Sequence, residues 1–542
     1  MPGINNAALR LVPPGVMKGA RESLSPKHRT RCLSPRHHSH LEYGATGRLT
    51  PGRPAGYTKC DSSLFDSLWI WSFMFFPHTR RSWLQRVAVG FGGLAMSALC
   101  SDSASAAPPV LGPLAPRGGH FPAKAKRIIF LFMSGGPSQV DTFDPKPLLV
   151  RDHGKPFPFP KPRVQFNSTG NLLKSPWKFR QHGESGLWAS DLFPNVARCV
   201  DDLCMIHSIH GTNPAHGGAV MKVHTGTDNF VRPSIGSWVT YGLGSENADL
   251  PGFVTICPTL AFGGINNWSS AFLPAEYQGT SLGNASIPSD KARVRYIANS
   301  RLPRDIQRLQ LEQLMRQDAA SRERAPTEAA LEARINSFEL AFRMQSSIPQ
   351  VEDLSGESRA THALYGLDDP VTANFGRMCL VARRFAEAGV RFIQVTHNDH
   401  LVQWDQHSDL KNGHEKNARE VDRPIAGLLT DLKQRGLLED TLVWWGGEFG
   451  RTPTAETADG RDHNQEGFTM WLAGGGAKPG HRYGNTDEYG YYAVEDKVHI
   501  HDLHATMLHL LGLDHERLTY RHAGRDFRLT DVEGTVVQGV LA

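Results

Sequence analysis

The sequence predicts an α/β protein built on a mostly parallel sheet, with helices on both faces of the sheet and a helical insertion. Three observations predict this class. The chain has 542 residues, of which 40% are hydrophobic and 21% are charged, which is the composition of a globular protein with a large core. Short apolar segments recur along the chain, and several of them follow amphipathic helical stretches. The apolar segments are residues 126–133, 203–209, 252–257, 390–396, 441–445 and 468–473.

The first apolar segment, residues 126–133, is continuous and ends abruptly at Ser134-Gly135-Gly136-Pro137. A run without polar alternation is typical of a strand that is buried on both faces, as in a parallel sheet. The glycines and the proline predict a loop at the carboxyl end of this strand.

Amphipathic periodicity predicts helices over residues 372–388 and 415–435, and each leads into the strand that follows it. A third helix is predicted over residues 501–511. Gly512 is its expected C-cap, because glycine readily adopts the left-handed backbone conformation that ends a helix.

Residues 304–344 differ from the rest of the chain because they are rich in charge and place their larger apolar side chains on one helical face. They are predicted to form a helical insertion outside the central sheet. The side chains of that predicted face are Leu331, Ile335, Phe338 and Phe342.

The first 106 residues are predicted to lie outside the folded domain. Residues 1–73 lack periodicity, and we interpret them as disordered or as a mis-assigned extension. Residues 74–106 predict a signal peptide, because Arg80-Arg81 precedes the apolar run 87–99 and a small-residue site ends at Ala106. Paired arginines are typical of twin-arginine export, and the apolar run is too short to span a bilayer. The sequence therefore predicts a periplasmic, secreted or cell-surface protein without an integral membrane span, whose mature domain is residues 107–542.

The net charge of +5 is concentrated in this leader. Residues 1–106 contain 13 Lys and Arg against 5 Asp and Glu, which leaves 46 against 49 in the remainder. The remainder shows no basic stripe interleaved with aromatic residues, so nucleic acid is not an expected partner.

Acidic and histidine residues follow two of the predicted strands. Asp405 and His407 lie in the loop after the strand 390–396, and Glu448 directly follows the strand 441–445. The carboxyl ends of parallel strands meet at one edge of a sheet, where sites in α/β folds are found. Imidazole and carboxylate groups on neighbouring loops suit a divalent transition metal, although each loop alone is also compatible with a solvated polar loop.

A third cluster, Asp462-His463, precedes the strand 468–473. Arg451 lies three residues after Glu448, where its guanidinium could hold a tetrahedral anion or a carboxylate through two parallel hydrogen bonds. The alternative for this pair is a mutual ion pair between Glu448 and Arg451. Three such clusters beside strand ends favour a metal site.

Four motifs resemble the bacterial family DUF1501, in particular its planctomycete-type members, and the resemblance extends from about Lys126 to the C-terminus. The motifs are Gly135-Gly136-Pro137-Ser138-Gln139-Val140-Asp141-Thr142-Phe143-Asp144, Trp404-Asp405-Gln406-His407, Gly446-Gly447-Glu448-Phe449-Gly450-Arg451-Thr452-Pro453 and Gly460-Arg461-Asp462-His463.

DUF1501 proteins are placed in the alkaline phosphatase-like superfamily, together with sulfatases, phosphatases and phosphomutases. The resemblance therefore implies an alkaline phosphatase-like core and one or two divalent metal ions, Zn, Ca or Mg. It also implies a hydrolase acting on sulfate or phosphate esters, with a sulfated or phosphorylated polysaccharide as the expected partner.

Carried over by position, the resemblance implies metal ligands at Asp405, His407, Glu448 and His463, with Asp462 beside the last. Two departures from the superfamily pattern are present. The spacing of Asp405 and His407 is shorter than the usual Asp-x-x-x-His, and Glu448-Phe449 stands where an Asp-His pair is common.

The nucleophile is the least regular part of the resemblance. Counting back from Thr225-Gly226, the position of the sulfatase nucleophile is occupied by His216, so no formylglycine precursor exists there. One reading makes Asp141 a metal ligand and Thr142 or Ser138 an alcohol nucleophile whose pKa the metal lowers. The other reading makes His216 a further ligand, with metal-bound water as the attacking group.

Two functions remain open on the sequence. The first is an exported metal-dependent hydrolase. The second is a non-catalytic relative that retains the fold and a metal but binds a glycan or a partner protein, which the histidine at position 216 favours.

Overall fold

A computed structural model describes residues 114–160, 169–324, 329–398 and 403–542, without the side chains of residues 319–332. The described residues belong to one compact unit, Ser105–Ala542. The predicted extension at residues 1–73 and the predicted signal peptide at residues 74–106 lie outside the described residues.

The strands are short and largely buried. They are β1 (Arg127–Met133), β2 (Phe179–His182), β3 (Leu187–Ser190), β4 (Leu203–His210), β5 (Phe253–Ile256), β6 (Thr280–Leu282), β7 (Phe392–His397), β8 (Thr441–Gly446), β9 (Gly450–Arg451), β10 (His463–Asn464), β11 (Phe468–Ala473), β12 (His481–Tyr483), β13 (Asn485–Thr486), β14 (Ala493–Glu495), β15 (Val498–His499), β16 (Tyr520–His522) and β17 (Arg525–Phe527).

The helices surround these strands. They are α1 (Gln139–Thr142), α2 (Pro147–Arg151), α3 (His216–Thr225), α4 (Ile235–Leu243), α5 (Arg304–Arg324), α6 (Ala329–Glu352), α7 (Arg359–Leu364), α8 (Ala373–Glu387), α9 (Leu410–Gln434) and α10 (Ile500–Leu510). Short 3-10 helices lie at Val196–Asp202, Gly264–Trp268, Ala275–Tyr277 and Gln538–Val540.

The central sheet has the strand order β12-β4-β11-β8-β1-β7-β5-β6, and β15 also pairs with β4. Strand β1 pairs in parallel with β7 and β8, and β5 pairs in parallel with β6 and β7. Strand β11 alone in this sheet runs antiparallel to its two neighbours, β4 and β8. The predicted mostly parallel sheet is confirmed, and all six apolar segments contribute a strand to it.

The two faces of β1 explain why its sequence shows no polar alternation. Ile129, Leu131 and Met133 pack into one hydrophobic cluster, which includes side chains of α8 and α9. Ile128, Phe130 and Phe132 pack into a second cluster, with side chains of α3, α4 and α10. Helices therefore cover both faces, as a sheet buried on both sides requires.

The helices that follow the insertion match the sequence closely. Helix α9 begins at Leu410, earlier than predicted, while α8 and α10 agree with their predicted bounds. Gly512 adopts a left-handed conformation with φ of +76° one residue beyond the C-cap of α10. Its N–H donates to His509 O at 2.8 Å, and that of Leu513 donates to Leu508 O at 2.8 Å, as in a Schellman motif.

The predicted insertion is helical but longer than residues 304–344, because α6 continues to Glu352. The predicted apolar face was wrong in part. Phe338 is 50% exposed, whereas Leu340, Met344 and Ile348 are buried in the core cluster that contains α8. The buried side chains of α6 thus form a stripe of residues four apart, Leu340, Met344 and Ile348. The predicted face, which included Phe338, lies on a different line along the helix. No helix in the described parts of the chain is both long and apolar enough to cross a membrane.

Candidate metal centre

The loops that carry the predicted site meet at the carboxyl edge of the sheet. Met133 of β1 pairs with His397 of β7, and Phe132 pairs with Gly446 of β8, so these three strands end side by side. Because β11 runs in the opposite direction, its beginning lies at this same edge. This reversal explains how a residue before a strand, His463, joins residues that follow strands.

Three histidines surround the carboxylate of Asp405. Oδ1 of Asp405 lies 2.9 Å from Nε2 of His407 and 3.1 Å from Nε2 of His463. Its Oδ2 lies 3.1 Å from Nε2 of His216. We refer to these four residues, together with Asp462, as the candidate metal centre.

Potential ligand atoms of this centre form two overlapping groups, each contained within 4.8 Å. The first group is His216, Asp405 and His463, and the second is His407, Asp462 and His463. Each group contains a buried atom without a hydrogen-bond partner. These are Nε2 of His216, which is close to Asp405 but not aligned for a hydrogen bond, and Oδ2 of Asp462. Buried orphan atoms of this kind are what a metal ion would satisfy.

Each of the three imidazoles also has an outer partner at Nδ1. Nδ1 of His216 lies 2.7 Å from Oε1 of Glu448, and Nδ1 of His463 lies 2.7 Å from the carbonyl oxygen of Pro214. Nδ1 of His407 contacts Oε2 of Glu456. All three rings therefore direct Nε2 toward Asp405. Metal-binding histidines are usually held in this way, by a carboxylate or a carbonyl at the nitrogen that does not bind the metal.

Glu448 is one of these outer partners, although it was predicted to be a ligand. Its two carboxylate oxygens accept hydrogen bonds from the N–H of Gly135, at 3.0 Å each, while Oε1 also contacts His216. The structure places it behind His216 and outside both ligand groups. Glu456 contacts His407 in the same way, and no motif in the sequence pointed to it.

Burial and charge act in opposite directions on the carboxyls of the centre. Burial raises the pKa of Asp405, but the Arg451 guanidinium and the nearby histidines outweigh it and hold that pKa well below its usual range. Burial raises the pKa of Asp462 above its usual value. Asp405 is therefore ionised, and its carboxylate contacts all three imidazoles.

The imidazoles differ among themselves. Burial lowers the pKa of His463 to about 4, so this ring is neutral at pH 7 and offers a lone pair. Burial also opposes protonation of His216 and His407, but their carboxylate partners raise both pKa values. A divalent cation would compete with the protons on these two rings, so its affinity should depend on pH.

Arg451 is buried, and its guanidinium is engaged by the protein itself. Nε donates to Gly136 O at 3.0 Å and Nη1 donates to Arg461 O at 3.2 Å. Nη2 contacts Gly135 O and lies 2.6 Å from Oδ1 of Asp405. Arg451 therefore contacts Asp405 and the loop after β1, and its predicted role in holding a substrate anion stays a prediction.

Asp141 and Thr142 are not brought into the metal centre. Both oxygens of Asp141 are bound by Arg461, at 2.6 and 3.1 Å, and Ser138 Oγ donates to Asp141 at 2.5 Å. Thr142 Oγ1 donates to Ser138 O at 2.8 Å inside the same short turn. These groups are bonded to one another in the loop after β1, and their predicted ligand and nucleophile roles stay predictions.

The Asp141–Arg461 ion pair predicts a large effect on stability, because both side chains are fully buried. Asp141→Asn leaves the Arg461 charge buried without its counter-ion, which should lower the free energy of unfolding by about 3–5 kcal/mol. Urea unfolding at pH 7 measures this. As a control, Asp526→Asn removes one partner of the exposed Arg521–Asp526 pair and should cost less than about 1 kcal/mol. Equal losses in the two variants would contradict the assigned role of Asp141.

His397, the last residue of β7, also lies outside the centre. Its Nδ1 accepts a hydrogen bond from Trp404 Nε1 at 2.9 Å, and its Nε2 lies 2.9 Å from Glu420 Oε2. It lines a cavity of about 800 Å³ that no residue of the metal centre touches. Residues 399–402, which follow in the sequence, lie outside the described residues.

Residues 125–541 match a protein family described as "Protein of unknown function (DUF1501)". No curated protein matches the chain. Similar solved structures include the lipoteichoic acid synthase LtaP from Listeria monocytogenes, with 11% identity over 78% of each chain and a TM-score of 0.33. They also include the phosphonate monoester hydrolase SpPMH from Silicibacter pomeroyi, with 13% identity over 59% of this chain and 68% of that one and a TM-score of 0.30. The PsFucS1 sulfatase from Pseudoalteromonas sp. has 14% identity over 60% of this chain and 63% of its own, with a TM-score of 0.28. At these TM-scores the similarities carry no argument about activity.

Proposed function

This chain belongs to the DUF1501 family, and on that premise we propose that it is a metal-dependent hydrolase of phosphate or sulfate esters. The observation that carries the proposal is the arrangement of three imidazole Nε2 atoms around Asp405. Each ring is held from behind by an outer partner, and two buried ligand atoms lack hydrogen bonds. Imidazole rings oriented in this way, with unpartnered ligand atoms beside them, are expected of a metal site and not of a polar surface loop.

The donor set favours zinc among the candidate ions. Imidazole nitrogens suit Zn²⁺, whereas Mg²⁺ and Ca²⁺ prefer oxygen ligands. A divalent ion held there would polarise the ester and activate water. Asp405 and the histidines hold the ion, and Arg451 keeps Asp405 ionised.

The hydroxyls of Ser138 and Thr142 are bonded within their own turn, which supports water as the attacking group. His216, at the position where the resembling sulfatases carry their nucleophile, directs Nε2 to the ligand group and is proposed to act as a ligand. The residues of this chain thus supply metal binding and orientation, and the substrate class proposed is an ester of an extracellular polysaccharide.

The test is to purify the full chain, measure its metal content before and after chelation, and assay aryl phosphates, aryl sulfates and sulfated oligosaccharides with Zn²⁺, Mg²⁺ or Ca²⁺ restored. Turnover that disappears with the metal and returns with it is the expected result. A chain that binds no metal and turns over none of these esters would remove the proposal.

A second candidate function is a non-catalytic relative that binds a metal and a glycan. The engaged hydroxyls of Ser138 and Thr142 favour it, because neither of these two predicted nucleophiles is free to attack. Bound metal without turnover, together with retention on a sulfated glycan column, would support this candidate over the hydrolase.

We also propose export by the twin-arginine route. Arg80→Lys with Arg81→Lys is expected to shift the protein from the periplasmic or secreted fraction into the cytoplasm as an uncleaved precursor, measured by fractionation and immunoblotting. Arg86→Lys, outside the pair, should leave export unchanged. Unaltered export of the double variant would refute this route.

A further inference from the structure

A second histidine group lies at the start of α10, apart from the metal centre. It consists of His499, His501 and the carboxylate of Glu533, whose ligand atoms lie within 4.8 Å of one another. We propose that this group is a second divalent metal site, in which the ion joins the beginning of α10 to the C-terminal segment.

The hydrogen bonds of His501 leave the lone pair of its Nδ1 facing the carboxylate of Glu533, which is also an acceptor. Nε2 of His501 lies 2.6 Å from the carbonyl oxygen of Gly226, and a carbonyl oxygen can only accept, so the hydrogen is on Nε2. In the neutral ring the lone pair is then on Nδ1, which lies 2.7 Å from Oε2 of Glu533. Two acceptors at this distance require a cation between them, either a proton or a metal ion.

A second imidazole approaches the same carboxylate oxygen, which argues for the metal ion over the proton. Nδ1 of His499 lies 3.7 Å from Oε2 of Glu533, and the rings of His499 and His501 are 4.9 Å apart. The N–H of His501 also reaches Nδ1 of His499, but at a long 3.3 Å. A proton can serve only one ring, whereas an ion bound by both rings and the carboxylate satisfies all three.

The group has the chemistry of a Zn²⁺ site with two nitrogen ligands and one oxygen ligand. Both histidines are largely covered, with side-chain exposures of 14% and 4%, while Glu533 is 58% exposed. Water can therefore reach the open side and complete the coordination.

The location gives such an ion a defined effect. Gly226 is the C-cap of α3, and His504 of α10 likewise donates to a carbonyl of α3, that of Val223, at 2.8 Å. The first residue of α3 is His216. An ion that fixes His501 therefore fixes the end of the helix whose other end carries a residue of the metal centre.

The test isolates this site by removing the metal centre with Asp405→Asn and His463→Gln in the full chain. Zn²⁺ binding is measured by equilibrium dialysis with metal analysis, and Co²⁺ is used as a spectroscopic probe for its visible absorption. We expect this background to retain one equivalent of Zn²⁺, and Zn²⁺ to raise its melting temperature. Adding Glu533→Gln should weaken that binding at least about tenfold and abolish the rise in melting temperature.

Glu488→Gln, at an exposed glutamate in the loop between β13 and β14, is the matched control and should change neither readout. His499→Gln provides a second variant, and it should reproduce the loss seen with Glu533→Gln. Unchanged Zn²⁺ stoichiometry and affinity in both ligand variants would show that His501 and Glu533 share only a proton, which overturns the proposal. Because the metal centre is absent from the background, this result is independent of the proposed hydrolase activity.

Discussion

Asp405→Asn is expected to lower the affinity of the metal centre for Zn²⁺ by about 100-fold or more and to abolish metal-dependent ester hydrolysis. Asp405 contacts all three histidines of the centre through its two oxygens, so no other side chain can replace it. The amide oxygen of the new asparagine is also a weaker hydrogen-bond acceptor for Arg451 than the carboxylate of Asp405. Competition with a chromogenic chelator measures the affinity, and the ester assay measures turnover.

Asp459→Asn is the matched control, because Asp459 is an exposed aspartate close to the centre in sequence, and its side chain accepts a hydrogen bond from the backbone N–H of Asp409. It should leave the affinity within about twofold of the wild type. If Asp405→Asn retained the wild-type affinity while folding normally, Asp405 would not be a ligand and the assignment of this centre would fail.

Acidification from pH 7.5 to 5.5 is expected to destabilise the fold by about 5 kcal/mol through four buried histidines. Burial lowers the pKa of His207 and His224 to about 4 and that of His414 and His504 to about 3. The unfolded chain takes up protons near pH 6.5, where the folded chain does not, so stability is lost as the pH falls below 6.5. At pH 5.5 each residue accounts for about 1.4 kcal/mol.

Urea unfolding at pH 7.5, 6.5 and 5.5 measures this dependence. In His414→Gln the loss between pH 6.5 and 5.5 should be smaller by about 1 kcal/mol, because one of the four groups no longer titrates. His522→Gln, at an exposed position, should show the wild-type slope. Identical slopes for the wild type and His414→Gln would mean that His414 becomes protonated in the folded protein as readily as in the unfolded one.

The strands could be predicted from the sequence because burial on both faces leaves a visible signature. Residues 126–133 are continuously apolar since each side of β1 meets a hydrophobic cluster. The direction of β11 in the sheet could not be predicted in this way, because an apolar run is compatible with either strand orientation. Only the pairing of β11 with β4 and β8 determines that it is antiparallel. The face of α6 was misjudged for a similar reason, because the partner that buries it is distant in sequence.

In the site, residue types were easier to predict than roles. Asp405, His407, Asp462 and His463 were recognisable because they lie beside strand ends. Whether Glu448 binds a metal or a histidine depends on a hydrogen bond to His216, which lies far away in the sequence. Arg451 looked available for an anion because two of the carbonyl oxygens that engage it belong to a loop more than 300 residues earlier.

Glu456 had no signal that could have found it. It stands between Ala455 and Thr457, away from any motif, and is recognised only by its contact with His407.

The position of β1 in the middle of the sheet has a consequence for biosynthesis. Ile128 pairs with Phe392, and Arg127 pairs with Thr441, so β1, the earliest strand in the described part of the chain, has no neighbour in the sheet until most of the chain has been made. Pairings between such distant segments are slow to form, and exposed strand edges invite association with other chains in the meantime. The nascent chain should therefore depend on chaperones that shield its early strands until the C-terminal half has been synthesised.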